Sequence, residues 1–143
     1  MIEKGFTVID ASGLIMGRMA SIVAKRLLSG ERIIVVNAEK VIISGSRASI
    51  IRKQKKFLEV GGTLRGPIHW RKPDKILRKT IRGMLPTEKS RGREAFKLLK
   101  VYIAVPDNLA SNQRETLPEI QSSRLRGRFI ALGEVAKTIG WNP

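Results

Sequence analysis

The chain has 143 residues, with 28 Lys and Arg against 12 Asp and Glu, a net charge of +16 and a pI of about 11.2. It has no cysteine, and His69 is its one histidine, which excludes disulfides, thiolate zinc sites, cysteine nucleophiles and multi-histidine metal sites. No apolar run approaches the roughly 18 residues of a membrane span, no signal-peptide pattern opens the chain, and the length suits one domain over residues 1–143.

Phe6–Asp10 reads as a short strand of β-formers. A turn at Asp10 to Gly13 leads into a helix that runs to about Leu28. Its apolar positions Met16, Met19, Ala20, Val23 and Leu27 keep helical spacing. Gly30 suits the position just after it. Arg32–Asn37 contains Ile33 to Val36, a β-branched run of the kind found in a strand covered on both faces. Strand, helix and strand within about 30 residues predict a parallel pair with a right-handed crossover. The first strand-to-helix turn does not carry a nucleotide fingerprint. Gly13-x-x-x-Gly17-Arg18-Met19 is one residue short of a phosphate loop and has Arg and Met where Lys and Ser or Thr are required. Its glycines are read as allowing a tight turn and close helix packing, while Arg18 at a helix start suits a phosphate of a larger polymer.

Val41–Ser44 is a candidate third strand. Gly45, Ser46 and Arg47 lead into a helix predicted from Ala48 to about Val60. Arg52, Lys55 and Lys56 share one face of it, with Lys53 at the edge. Residues 61–73 hold three glycines and two prolines around Arg65, His69, Trp70 and Arg71, the character of a functional loop. Trp70 either stacks on an unpaired base or packs on the domain. No carboxylate or nucleophile pattern surrounds His69, so it is not read as a catalyst.

The most informative stretch is Lys75 to Arg93. Lys75, Arg78, Lys79 and Arg82 lie at i, i+3, i+4 and i+7 and so share a helix face. Leu77, Ile81, Met84 and Leu85 are read as the opposite, apolar face. Four cations on one face repel one another unless something negative lies alongside. Pro86 is expected to end this helix, since the residue before a proline is pushed out of the α region. Gly83 lets either a partner's backbone or another helix come close. Ser90 is expected to cap the next helix, preceded by Lys89. Arg91 and Arg93 then fall in its first turn, against the macrodipole, an arrangement that suits a bound phosphate.

That helix carries Ala95, Phe96, Leu98 and Leu99 and runs into a predicted strand at Val101–Val105, ended by Pro106. Residues 106–131 read as a long surface connection without strong periodicity. Within it Arg124, Arg126 and Arg128 alternate, so in an extended chain they would point one way. Phe129–Ala131 is a candidate extended segment, and Leu132 to Ile139 a last short helix. Charge follows this layout. Residues 47–100 hold 17 basic and 4 acidic residues, a net of +13, whereas residues 1–46 and 101–143 carry nets of +2 and +1. A positive middle between nearly neutral ends is an electrostatic footprint for nucleic acid. Aromatics at 5% are too few for an amphipathic membrane-surface helix, and no set of acids and bases supports an enzyme. Charge alone does not separate RNA from DNA.

The residues also resemble a known family. Arg82 to Pro86, then Thr87 to Gly92, then Leu99 to Tyr102, is similar to the signature of the universal large-subunit ribosomal protein family numbered thirteen. Val8 to Ala11 with Gly13 and Gly17 to Ser21 resembles its opening, and Val36 to Glu39 its second strand. Gly66 to Arg71, Leu132 to Glu134 and Gly140-Trp141 look like the archaeal and eukaryotic branch, of which the short length favours the archaeal type. Residues 107–128 resemble the family least. The resemblance implies an α/β fold, three-layer α/β/α around a small, mainly parallel sheet of about four strands, with basic helices and an extended C-terminal segment. It implies a non-catalytic cytoplasmic protein of the large ribosomal subunit, acting early in assembly. Its partners would be large-subunit ribosomal RNA and neighbouring ribosomal proteins, with no membrane, small-molecule substrate, cofactor or metal. The candidate RNA-binding residues are Arg18, Arg47, Arg52, Lys53, Lys55, Lys56, Arg65, His69, Arg71, Lys72, Lys75, Arg78, Lys79, Arg82, Gly83, Lys89, Arg91, Arg93, Arg124, Arg126 and Arg128.

Overall fold

The β-branched run at residues 33–36 is the centre of the sheet. In the computed structural model, which describes residues 5–59, 71–125 and 127–143, Ile33, Ile34, Val35 and Val36 are all buried. They lie on strand β2 (Arg32–Val36), flanked by β1 (Phe6–Asp10) and β4 (Leu99–Val101). A two-residue strand, β5 (Arg114–Glu115), closes the other edge. The order is β4-β2-β1-β5 and every pairing is parallel. Val8 sits opposite both Ile34 and Arg114.

Helices α1 (Met16–Leu28), α3 (Pro73–Arg82) and α4 (Ser90–Lys97) cover one face of this sheet. Ile9, Ile33, Val35 and Leu99 from the strands meet Met19, Val23, Leu27, Leu77, Ile81 and Ala95 from the helices in the main core. On the opposite face Val8, Ile34 and Val36 are capped by Leu109, from the 3-10 turn Asp107–Leu109. The fold is thus a three-layer α/β/α arrangement whose second helical layer is reduced, among the described residues, to the one 3-10 turn that carries Leu109. A flank is built by α2 (Arg47–Glu59), α5 (Leu132–Thr138) and a two-stranded antiparallel ribbon of β3 (Ile42–Ser44) and β6 (Phe129–Ala131).

Several boundaries differ from the sequence reading. The strand expected at Val101–Val105 begins two residues earlier, because Leu99 pairs with Ile33. It ends at Val101, and beyond it Ala104 adopts a left-handed φ of 55°. Val41–Ser44 joins β6 rather than the parallel sheet, whose fourth strand is β5 instead. The connection expected over residues 106–131 is therefore only partly superficial. It supplies β5, and Leu109 and Ile120 are buried. Of the glycines in the first turn, Gly13 has φ 73° and does require its turn. Among the described residues nothing lies within 4 Å of a Cβ added at Gly17, so packing among them does not explain it.

Polar side chains fix what apolar burial leaves loose. The Arg26 guanidinium bonds Glu31 through Nε at 2.8 Å and Glu115 through Nη1 and Nη2, both at 3.0 Å. The Glu31 carboxylate also accepts the Thr7 hydroxyl at 2.8 Å. Arg26 of α1 thereby links Glu115 of β5 to Glu31, the residue just before β2, and Glu31 in turn holds Thr7 of β1. At the far end of β1 the Asp10 carboxylate accepts Asn37 Nδ2 at 2.9 Å and the Ser12 N–H at 3.0 Å. Burial pushes the Asp10 carboxyl up, but the bonds from Asn37 and Ser12 and the charge of Arg114 outweigh it and leave it below its ordinary value. Arg26 likewise holds Glu31 below the usual range, against the effect of burial. A carboxylate held low in the folded state contributes stability above its unfolded pKa of about 4, which is lost as pH falls through the folded value. Stability should therefore fall on the acid side of about pH 4. Asp10→Asn with Glu31→Gln should flatten that limb in a melting-temperature series, and an acid limb as steep as that of the parent would refute the assignment.

Candidate nucleic-acid interface

Helix α3 presents its basic stripe to solvent because its apolar stripe is fully used. Leu77 and Ile81 are 0% exposed, whereas Lys75, Arg78, Lys79 and Arg82 are exposed. Pro73 at the first helical position starts the helix, where a missing N–H costs nothing. The four cations and Phe96 of α4 line a shallow depression of about 150 Å³. The Arg78 guanidinium lies over the Phe96 ring, 4.5 Å from its centre. That cation–π contact holds the guanidinium in place while leaving it in the depression. From sequence Phe96 is only an apolar residue of the next helix; its distance from α3 along the chain gives no sign of this pairing.

The helix ends sooner than Pro86 implies. Its last residue is Arg82, and Met84 and Leu85 donate to the carbonyls of Ile81 and Arg82, each at 3.0 Å. This tighter turn buries Leu85 but leaves Met84 43% exposed, so Met84 does not belong to the apolar face assigned to it. Gly83 is exposed, and among the described residues an added Cβ would come within 4 Å only of its own helix's carbonyls, at 3.5 and 3.7 Å. Helix packing therefore does not account for Gly83, and its face is open to a partner.

Ser90 is the first residue of α4 rather than its cap; Lys89 occupies the cap position, with no side-chain bond to the helix. Lys89, Arg91 and Arg93 are exposed, and Arg93 Nη1 donates to the Glu88 carbonyl at 3.3 Å. The tight spot is Gly92. A Cβ there would lie 2.1 Å from the Pro86 carbonyl oxygen, because the turn at residues 85–89 folds over the first turn of α4. The clue in the sequence was a glycine inside a helix start, which is unfavourable unless a neighbour needs the room.

Helix α2 begins at Arg47, with the Ser46 hydroxyl accepting the Ser49 N–H at 3.3 Å. Arg52, Lys53, Lys55 and Lys56 are exposed, and Ala48, Ile51, Arg52, Lys55 and Lys56 line a second open depression. Arg47 is exposed but ion-paired with Glu134 of α5 at 3.5 Å. Helix α5 packs against both α2 and α3, which braces the two basic helices on one element. Among the described residues no carboxylate pairs with Arg78, Lys79 or Arg82, nor with Arg52, Lys53, Lys55 or Lys56.

The remaining candidates are dispersed. Arg18 is exposed in the first turn of α1. Arg71 and Lys72 are exposed ahead of α3, with Arg71 lying along Gly140. Arg124 sits in the 3-10 turn Ser122–Arg124, so the alternation expected of an extended chain fails there. Arg128 is exposed, and its carbonyl accepts the Gly45 N–H at 2.9 Å. Arg65, His69, Trp70 and Arg126 lie outside the described residues. Among the described residues no group of three or more His, Cys, Asp or Glu is placed to hold a metal ion, and no helix is long and apolar enough to cross a membrane.

Residues 4–108 match the family model described as ribosomal protein L13. The chain is 49% identical over 136 residues to the large ribosomal subunit protein uL13 of Methanosarcina barkeri, covering 94% of this chain and 97% of that protein. The proteins of the same name from Archaeoglobus fulgidus and Aeropyrum pernix are 41% and 42% identical, over 95% and 94% of this chain and 88% and 89% of theirs. With its signature motif set on a basic helix and the turn that follows, the chain belongs to the L13 family of large-subunit ribosomal proteins.

Proposed function

We propose that this protein is a structural constituent of the large ribosomal subunit that binds large-subunit ribosomal RNA and acts early in subunit assembly. The whole chain, residues 1–143, serves as one RNA-binding domain with neighbouring ribosomal proteins as further partners. The observation that carries this reading is the α3 stripe: exposed cations on a helix whose other side is anchored in the core, with no carboxylate on Arg78, Lys79 or Arg82 among the described residues. Such a face is relieved by phosphates, and the guanidinium forks suit their paired oxygens. Arg52, Lys53, Lys55 and Lys56 on α2, together with Lys89, Arg91 and Arg93, extend the same chemistry.

The test is charge reversal. Arg78→Glu with Arg82→Glu should leave the fold intact, since both side chains are solvent-facing, yet block co-sedimentation with large subunits. If about six phosphates are contacted on duplex-like RNA, log K should fall with log salt at a slope near −5. The double variant should lower that slope by roughly 2, about one per lost phosphate contact. Incorporation at the parental level with an unchanged slope would remove α3 from the interface.

A further inference from the structure

We infer that the trough between β6 and the start of α2 is a seat for an unpaired nucleotide, with its base stacked on Phe129. This rests on the RNA-binding reading above and names the form of RNA that one part of the surface takes. Ser46, Arg47, Ala48, Ile51, Arg128 and Phe129 line an open depression of about 790 Å³. It adjoins the depression of about 510 Å³ beside Arg52, Lys55 and Lys56, and the two share Ala48 and Ile51. The result is one trough along α2 with an apolar floor and cations along its length. Phe129 is 48% exposed, although its strand neighbour Ile130 is buried. Its backbone is fixed by the ribbon, with Phe129 opposite Ser44 and the Gly45 N–H on the Arg128 carbonyl.

The chemistry of the lining selects among polyanions. A regular duplex keeps its bases inside and offers phosphates and sugars, which leaves an apolar floor and an exposed ring without partners. An unpaired nucleotide offers both parts: a π face for Phe129 and a phosphate for the guanidinium and ammonium groups beside it. Among the described residues the acid in ion-pair contact with the lining is Glu134, which Arg47 already engages at 3.5 Å. The trough therefore stays cationic.

The test uses the full chain, fluorescence anisotropy, a labelled single-stranded oligoadenylate 12-mer and a labelled 12-base-pair RNA duplex. Phe129→Ala should weaken the single strand by roughly 5- to 100-fold, the range expected from one lost stacking contact. It should leave duplex affinity within about twofold, which also shows that the variant is folded, and Phe129→Tyr should restore the single strand. Unchanged single-strand affinity in Phe129→Ala, or an equal loss on strand and duplex, would overturn the proposal. So would a peptide of alternating Glu and Phe that displaces the single strand at lower concentration, which would assign the trough to a protein tail. Failure of the parent reading is separable: Arg78→Glu with Arg82→Glu would then leave subunit incorporation unchanged, whatever Phe129 does to the single strand.

Discussion

Leu77→Asp will abolish the cooperative thermal transition of this protein. Leu77 is 0% exposed and lies in the main core against helix α1 and the sheet. Removing a buried leucine side chain alone costs about 2–5 kcal/mol. The carboxylate that replaces it finds no partner in that core, which adds several kcal/mol more or forces it to take up a proton. Against a total stability of roughly 5–15 kcal/mol the sum is enough to unfold the domain. Arg78→Glu, one residue away on the exposed stripe, is the matched control and should keep a parental melt by circular dichroism. A cooperative transition near the parental temperature in Leu77→Asp would mean that the apolar side of α3 is not core.

Gly92→Ala should be the second most damaging change, and its sign is set by a contest of two effects. Alanine favours a helix over glycine by about 1 kcal/mol. Here, however, the added methyl would meet the Pro86 carbonyl oxygen at 2.1 Å and its carbon at 2.2 Å. Both are backbone atoms, so no rotamer change relieves the clash. Overpacking of this kind costs about 1–3 kcal/mol and sometimes more, and the upper end applies when a helix must move bodily. The expected net loss of about 2 kcal/mol lowers the melting temperature by roughly 4–8 °C at this size. The same movement carries Phe96 away from Arg78, so RNA affinity should fall too. Gly83→Ala, where among the described residues an added Cβ would meet nothing closer than 3.5 Å, should melt at or slightly above the parental temperature. Equal melting temperatures for Gly92→Ala and the parent would show that the turn at residues 85–89 yields freely.

The contrast between these two glycines shows what could be read from the chain itself. Period and burial were legible. The β-branched run became the central strand, and the i, i+3, i+4, i+7 pattern of Lys75, Arg78, Lys79 and Arg82 became the exposed stripe. What sequence reading missed depends on partners distant along the chain. Strand β5 is two polar residues, Arg114 and Glu115, with no strand pattern of their own; pairing with β1 and the grip of Arg26 make them a strand. The spacing of Met84 fits the apolar face of a continued helix, but the tighter turn after Arg82 puts it outside. For Phe129 and Phe96, residue type alone could not say whether the ring would be buried, hold an arginine or face solvent.

Strand β5 has a further consequence for how the protein is made. The sheet's second edge is completed by residues more than a hundred positions downstream of the strand they join. During synthesis β1 therefore emerges with one row of backbone donors and acceptors open, and it stays so until most of the polypeptide has left the exit tunnel. An open edge of this kind invites pairing with other nascent chains. Docking of Arg114 and Glu115 comes late and across a long loop, and such nonlocal closures are the slow steps of folding.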